Sequence, residues 1–358
     1  MKQSLRIPVP AVGFNPPVYI CNRTTKPFTL DGNIHKEFWA DAPFTDDFVD
    51  IEGPHMPTPR FRTRAKMLWD DNNLYISALL EGTEIWAHLT ERDCVIFQDN
   101  DFEIFIDPDS DTQQYIEYEM NARNTVWDLL LTKAYRDNGK AINGFDLHGL
   151  KTAVHINGVL NDPKADNKEW SVEVVIPFSA ISECNDDNRT PNHGEYYRIN
   201  FSRVQWLVDF VDGNYHKRIN PVTEQVLPED NWVWSPTGVI NIHYPELWGF
   251  LFFNDGSHSE LNFSIPEDEK IKWELRKLYY AEQAYMDHHG SYTNSLTQLT
   301  DLLQSICPNN TNHTVAPLPY TIETTTHTFE IHCPNTSGTG KFILCSDGKI
   351  KSIGKGVN

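Results

Sequence analysis

Residues 230–249 read DNWVWSPTGVINIHYPELWG: three tryptophans, a Ser-Pro turn and a period-two apolar run, with hardly any charge. Trp232 and Trp234 lie two apart, so an extended chain points both rings to one face, just ahead of a turn. A ring placed there either fills a core or offers a platform to something flat, and the apolar face of a sugar is flat.

Outward from this stretch, the period of two recurs along most of the chain. Segment 74–80 sets Leu74, Ile76, Ala78 and Leu80 against Tyr75 and Ser77. Segment 102–107 sets Phe102, Ile104 and Ile106 against Glu103 and Phe105, and segment 170–176 sets Trp170, Val172, Val174 and Ile176 against Ser171 and Glu173. Half-buried antiparallel strands need this alternation. Further strands are expected at 64–69, 115–121, 124–131, 197–206, 238–243 and 249–253. Many short strands between turn clusters, with 22 Pro and 19 Gly, predict a mainly β chain built as a β-sandwich.

Residues 1–27 are Pro-rich and read as an irregular arm, and the Asn- and Asp-rich stretch 183–195 reads as a loop. Near Pro266 the period changes. Ile271, Leu275, Leu278 and Tyr279 recur at helical spacing from Asp268 to His289, with Gly290 as the stop. A second short helix is expected after Asn294 or Ser295, and β-character returns after Pro308. The expected organisation is an arm at 1–27, a sandwich at 28–255, a boundary at about 255–266 and a small α+β domain at 266–358.

Composition bounds the function. The chain has 358 residues, 39% hydrophobic and 22% charged, as a folded protein does, and its apolar runs are too short to span a bilayer. A formal net charge of −20 argues against a nucleic-acid partner and suits solubility, calcium or a neutral ligand. Six cysteines include no C-x-x-C pair; Cys333 and Cys345 flank a hairpin, as a disulfide or as free thiols. The N-terminal MKQSLRIPVPAVGF lacks the apolar core of a secretory signal, so the protein stays inside or its leader was removed. No G-x-S-x-G, H-E-x-x-H or phosphate-binding glycine loop occurs, and fifty acidic residues make a chance carboxylate pair uninformative.

Four blocks taken in order resemble family 9 carbohydrate-binding modules: LDGNIHKEFWADAP at 30–43, RAKMLWDDNNLYISALLE at 64–81, FQDNDFEIFIDPDSD at 97–111 with YIEYEMNARNTVWD at 115–128, and YRINFSRVQW at 197–206 joined to the 230–249 stretch. The resemblance implies a jelly-roll-like β-sandwich and non-catalytic binding of an oligosaccharide or polysaccharide between two aromatic rings, outside the cytoplasm. It places the first ring at Phe97, where the family usually has Trp, six residues before the glutamate Glu103, and the second ring at Trp234, with Asn231 as a polar reader. Strand geometry adds Arg203 and Gln205 as donors, and Trp86 marks the tip of the segment matching the family's variable loop. The D-x-D-x-D run of Asp107, Asp109 and Asp111 suits a structural calcium, which the family often carries.

The alternatives are a structural or interaction protein with a degenerate sugar site, a glycoside-processing enzyme, and a haem-binding relative using Met67 or Met120. The stretch YYAEQAYMDHHGSYTNSLTQL resembles the post-membrane part of pilin-like domains, without their apolar N-terminal half-helix.

Overall fold

The computed structural model describes residues 5–185, 190–257, 263–307 and 314–354. Positions 186–189 of the expected loop and 258–262 of the expected boundary therefore lie outside the described residues.

In chain order the strands of the first part are β1 (Val18–Arg23), β2 (Val49–Asp50), β3 (Thr63–Trp69), β4 (Asn73–Glu81), β5 (Asp101–Asp107), β6 (Gln113–Asn121), β7 (Val126–Lys133) and β8 (Ala141–Ile142). Then come β9 (Lys151–Asn157), β10 (Glu169–Pro177), a single helical turn α1 (Phe178–Ile181), β11 (Tyr196–Gln205), β12 (Val208–Val211), β13 (Asn214–Lys217), β14 (Asp230–Val233) and β15 (Gly249–Asn254). All but β12 and β13 join one curled sheet ordered β8-β7-β6-β5-β11-β15-β1-β3-β4-β10-β9, with β14 and β2 branching from β11. The stretch read as an irregular arm thus supplies a strand: β1 runs parallel to both β15 and β3 and joins the two halves.

The alternating residues meet as expected. Met67, Leu74, Ile76, Val172 and Val174 from one half face Phe102, Ile104, Ile116, Phe201 and Leu251 from the other in a single buried cluster. Each fully buried side chain of this kind contributes about 1.5–3 kcal/mol. Met67 and Met120 are both sealed in this cluster, which leaves neither sulfur open to a haem iron.

Segment 238–243 is not a strand. It bends through close turns, with Asn241 N–H donating to the Val239 carbonyl and Tyr244 N–H to that of Ile242. Its apolar residues scatter instead: Ile242 packs against Phe105, Tyr115, Leu129, Leu131 and Trp248, Val239 packs beside Tyr244 and Leu247, and Ile240 is exposed. A period of two cannot distinguish a strand from a loop laid across another sheet.

The second part begins with helix α2 (Glu267–His289), which ends on Gly290 at φ 72°, and α3 (Leu296–Ile306), whose N-cap Ser295 accepts from the Gln298 N–H. An antiparallel sheet follows, β16 (Thr321–Thr324), β17 (Phe329–Pro334), β18 (Gly340–Cys345) and β19 (Ile350–Gly354). Leu275, Leu278 and Tyr279 of α2 pack on Phe329, Ile331, Phe342 and Leu344. Its other side chains grip the sandwich: Glu269 meets Arg198 at 3.2 Å, and Arg276 donates to Thr112 Oγ1 at 2.9 Å. Cys333 and Cys345 are free, because Cys333 pairs with Phe342 while Cys345 pairs with Glu330. A three-residue offset separates the two by roughly 10 Å along the ladder, beyond disulfide reach.

No helix of the described residues is long and apolar enough to cross a membrane.

Candidate functional site

Backbone register builds the site. Across β7, β6, β5, β11 and β14, the paired residues Trp127, Glu119, Glu103, Ser202 and Val233 form one row. Asp101 and Glu117 stand two positions along their strands from Glu103 and Glu119, so they share the same face. This is the face turned away from the sandwich core. Val204 and its partner Asn231 extend it on the other flank.

Over this face lies a cleft of ≈ 360 Å³, within the range of small-molecule sites (about 300–1,000 Å³). Phe97, Trp127 and Tyr135 supply rings, Glu103, Glu117 and Glu119 the floor, and Asn231 with Glu229 one rim. The turns at Ile240–His243 form the opposite wall. Tyr135 is 44% exposed and meets the His243 ring edge-on at 4.6 Å. Its neighbours Arg136 and Asp137 turn the other way and bond Glu246 and the Tyr279 hydroxyl, so the second domain holds this wall in place.

The chemistry of the floor is unusual. Burial pushes the Glu103 carboxyl up to about 7 and raises those of Asp101, Glu117 and Glu119 well above the carboxylate range, their mutual repulsion adding to it for the latter three. Burial, and then Arg136, depresses His243 to about 3, so its imidazole is neutral; Nδ1 meets the Tyr115 hydroxyl at 2.8 Å. Asp101 Oδ2 and the Trp127 indole N–H are buried without hydrogen-bond partners.

Three residues assigned from sequence therefore come together here: Phe97, Glu103 and Asn231. The other three do not. Trp234 is 4% exposed and belongs to the sandwich core, tilted on Phe201 at 5.9 Å. Beside it Gly249 leaves the indole its space; a Cβ there would lie 2.3 Å from the ring. Just beyond it the Asn200 side chain clasps the Ser235 backbone from both sides, at 2.9 and 2.8 Å. Trp232, one strand pleat earlier, is buried in the same core.

Arg203 and Gln205 sit on β11 with the opposite parity to Ser202 and Val204, and so face the interior. Arg203 donates to Gln205 Oε1 at 2.7 Å, Thr63 Oγ1 at 2.9 Å and the Glu81 carbonyl at 2.9 Å. Burial, with Arg60 nearby, lowers its guanidinium to about 9. The pair ties strands together rather than reading a ligand. Trp86 is likewise buried, against Val204 and Trp206.

Sequence reading missed Trp127, Tyr135, Glu117 and Glu119. The signal for the two glutamates was present: they alternate with Ile116, Tyr118 and Met120, the same parity argument that exposed Glu103. Tyr135 carried none, lying in a loop.

Asp107, Asp109 and Asp111 bring carboxylate oxygens within 4.8 Å of one another. Asp107 accepts the Ser110 and Thr112 N–H groups, Asp111 accepts that of Gln113, and Lys349 of β18–β19 reaches Asp111 at 2.7 Å. Loop amides and a lysine thus already engage much of the set. Burial, then Asp109 and Asp111, pushes the Asp107 carboxyl well up.

Residues 30–197 match the family described as Carbohydrate family 9 binding domain-like, which confirms the resemblance over that segment. The matched segment contains Phe97, Glu103, Glu117, Glu119, Trp127 and Tyr135, whereas Asn231 and Trp234 lie beyond it. Among solved structures, a carbohydrate-binding protein of Bacteroides uniformis, described as putative, is similar at 14% identity and TM-score 0.48, over 67% of this chain and 100% of its own. A family 9 carbohydrate-binding module of Caldicellulosiruptor kristjanssonii in complex with cellotriose is similar at 15% identity and TM-score 0.42, over 69% and 99%. The same organism's module in complex with glucose gives 16% and 0.41, over 68% and 99%. No curated protein matches this chain.

Proposed function

We propose that the cleft beside β5, β6 and β7 binds a saccharide without converting it. One observation carries this reading. Phe97, Glu103 and Asn231, assigned from separate stretches of sequence, line a single hollow together with two further rings, Trp127 and Tyr135. A ring face removes the apolar C–H surface of a pyranose from water, and carboxylates and amides at its edge accept and donate to the hydroxyls. The two-ring clamp through Trp234 is replaced in this proposal by Trp127 and Tyr135. The match of residues 30–197 to a binding family, and the sugars in complex with the similar modules, support it.

The rival, a structural or interaction protein with a degenerate sugar site, is favoured by the burial of Trp234. Calorimetry against a panel of oligosaccharides separates the two. Heat release that Trp127→Ala and Tyr135→Ala abolish, with unchanged folding, supports binding; silence across the panel supports the rival. Release of reducing sugar during the titration would instead support an enzyme.

With the saccharide role we propose a location outside the cytoplasm, where polysaccharides are. We also propose a structural calcium at Asp107, Asp109 and Asp111, supported by the approach of their oxygens and requiring Lys349 to yield. Terbium luminescence that Asp109→Asn abolishes tests it, and no luminescence overturns it.

A further inference from the structure

The cleft is charged in one sense only. Glu103, Glu117 and Glu119 line it from β5 and β6, Asp101 lies fully buried on the same strand face as Glu103, Glu229 stands at its rim, and no lysine or arginine lines it. Among the described residues none of these five forms a salt bridge, whereas Arg136 is engaged with Glu246 and Asp137, and Lys217 lies over the Trp206 ring at 3.3 Å. Asp101, Glu103 and Glu119 offer oxygens all within 4.8 Å of one another. Of these, Asp101 is wholly buried, and its Oδ2 has no hydrogen-bond partner. Like charges directly opposed in a ladder destabilise the sheet, so an arrangement of this kind calls for a counter-charge.

We infer that the cleft selects a saccharide bearing a protonated amine, a 2-amino-2-deoxy sugar or a short oligomer of it, with the ammonium among Asp101, Glu103 and Glu119 and the ring against Trp127. This rests on the saccharide reading above and names its ligand class. An ammonium offers three donors, one of them for the unpartnered Asp101 Oδ2, and is drawn to the aromatic rings beside it. A neutral sugar would leave the carboxyls answered by protons alone.

A bare metal ion suits the site less well. Asp101 Oδ1 already accepts the Val204 N–H at 3.2 Å and Glu119 Oε2 the Phe97 N–H at 3.1 Å, which leaves too few oxygens for calcium's usual six to eight ligands. The cavity, at ≈ 360 Å³, is also far larger than an ion, and three aromatic walls serve an organic ligand.

In the free protein the repulsion is relieved by protons, as the raised carboxyls of Asp101, Glu103, Glu117 and Glu119 indicate. The other groups facing them are the neutral His243, the Tyr115 and Tyr135 phenols, which burial also raises, and Glu229. An incoming ammonium therefore displaces protons, and the binding enthalpy at neutral pH depends on the ionisation heat of the buffer.

The test is calorimetry at pH 7 in two buffers of different ionisation heat. The probes are glucosamine oligomers, their N-acetylated counterparts, cello-oligosaccharides of equal length, and calcium chloride. The expected result is an amino oligomer at least tenfold tighter than either neutral series, with proton release, and loss of that preference in Glu103→Gln and in Glu119→Gln. Thermal melts confirm that both variants fold, and Glu117→Gln serves as a third. Equal or tighter binding of the neutral oligomers overturns the inference but leaves the saccharide role standing. Calcium binding that Glu103→Gln abolishes, without amine preference, also overturns it. Failure of every saccharide overturns the saccharide reading itself.

Discussion

Glu103 and Glu119 stand directly opposite each other across the β5–β6 ladder. Facing side chains there are about 5 Å apart at Cβ, close enough for like charges to repel. Burial is the larger cause of their raised carboxyls, with Glu103 at about 7 and Glu119 well above its usual range. A carboxyl raised on folding binds more protons in the native state than in the unfolded chain. Stability therefore falls as pH rises from about 4.5 through about 7.

Glu103→Gln removes that loss. The variant is expected to match the parent near pH 4.5 and to exceed it at pH 8 by on the order of 3 kcal/mol. Urea titrations at the two pH values check this; a difference independent of pH would contradict it.

Trp234 is a core residue, and its truncation should cost stability rather than affinity. Trp234→Ala is expected to lose about 3–5 kcal/mol. Gly249→Ala is expected to be destabilising on its own, because the new Cβ meets the indole at 2.3 Å. Together the two should cost less than their sum, since removing the indole frees the space, and a double-mutant cycle measures that coupling.

Glu246 carries the opposite pH dependence. Burial pushes its carboxyl up, but Arg136, Arg276 and the Tyr280 hydroxyl outweigh that and hold it at about 2. Its contribution is present above the unfolded value near 4.5 and is lost as pH falls toward 2. Glu246→Gln, which leaves two buried arginines without this partner, is expected to cost about 3–5 kcal/mol at pH 7 and progressively less below pH 4. Denaturant midpoints between pH 2 and 7 report it.

All six cysteines are free. Alkylation in denaturant without reductant is expected to add six labels by intact mass; four labels would indicate a disulfide that the β17–β18 register forbids.

Much of this was legible in the alternation of residues. Leu74 to Leu80 and Phe102 to Ile106 announced the sandwich because parity on a strand is fixed by the backbone. The same parity made Glu103 a candidate and, applied to 115–121, would have given Glu117 and Glu119. It failed for Arg203 and Gln205, whose face depends on which side of β11 meets the core, a matter of register with β5 and β14. Trp234 keeps the parity of Trp232, and both turn to the core with Arg203 while Asn231 turns to the cleft, so here too the choice of face was the matter of register that parity leaves open. The arm hid β1, whose pairing with β15 and β3 is long-range and leaves no local signature.

The central claim is that Trp127, not Trp234, faces the ligand, and the two indole N–H groups report on it directly. In a nitrogen–proton correlation spectrum, with both signals assigned through Phe substitutions, an oligosaccharide bound by the protein is expected to shift the Trp127 indole signal. The Trp127 ring lines the cleft, so a bound sugar changes its surroundings, while the Trp234 indole is sealed in the core and its signal stays put. Movement of Trp234 with Trp127 unmoved would contradict the account.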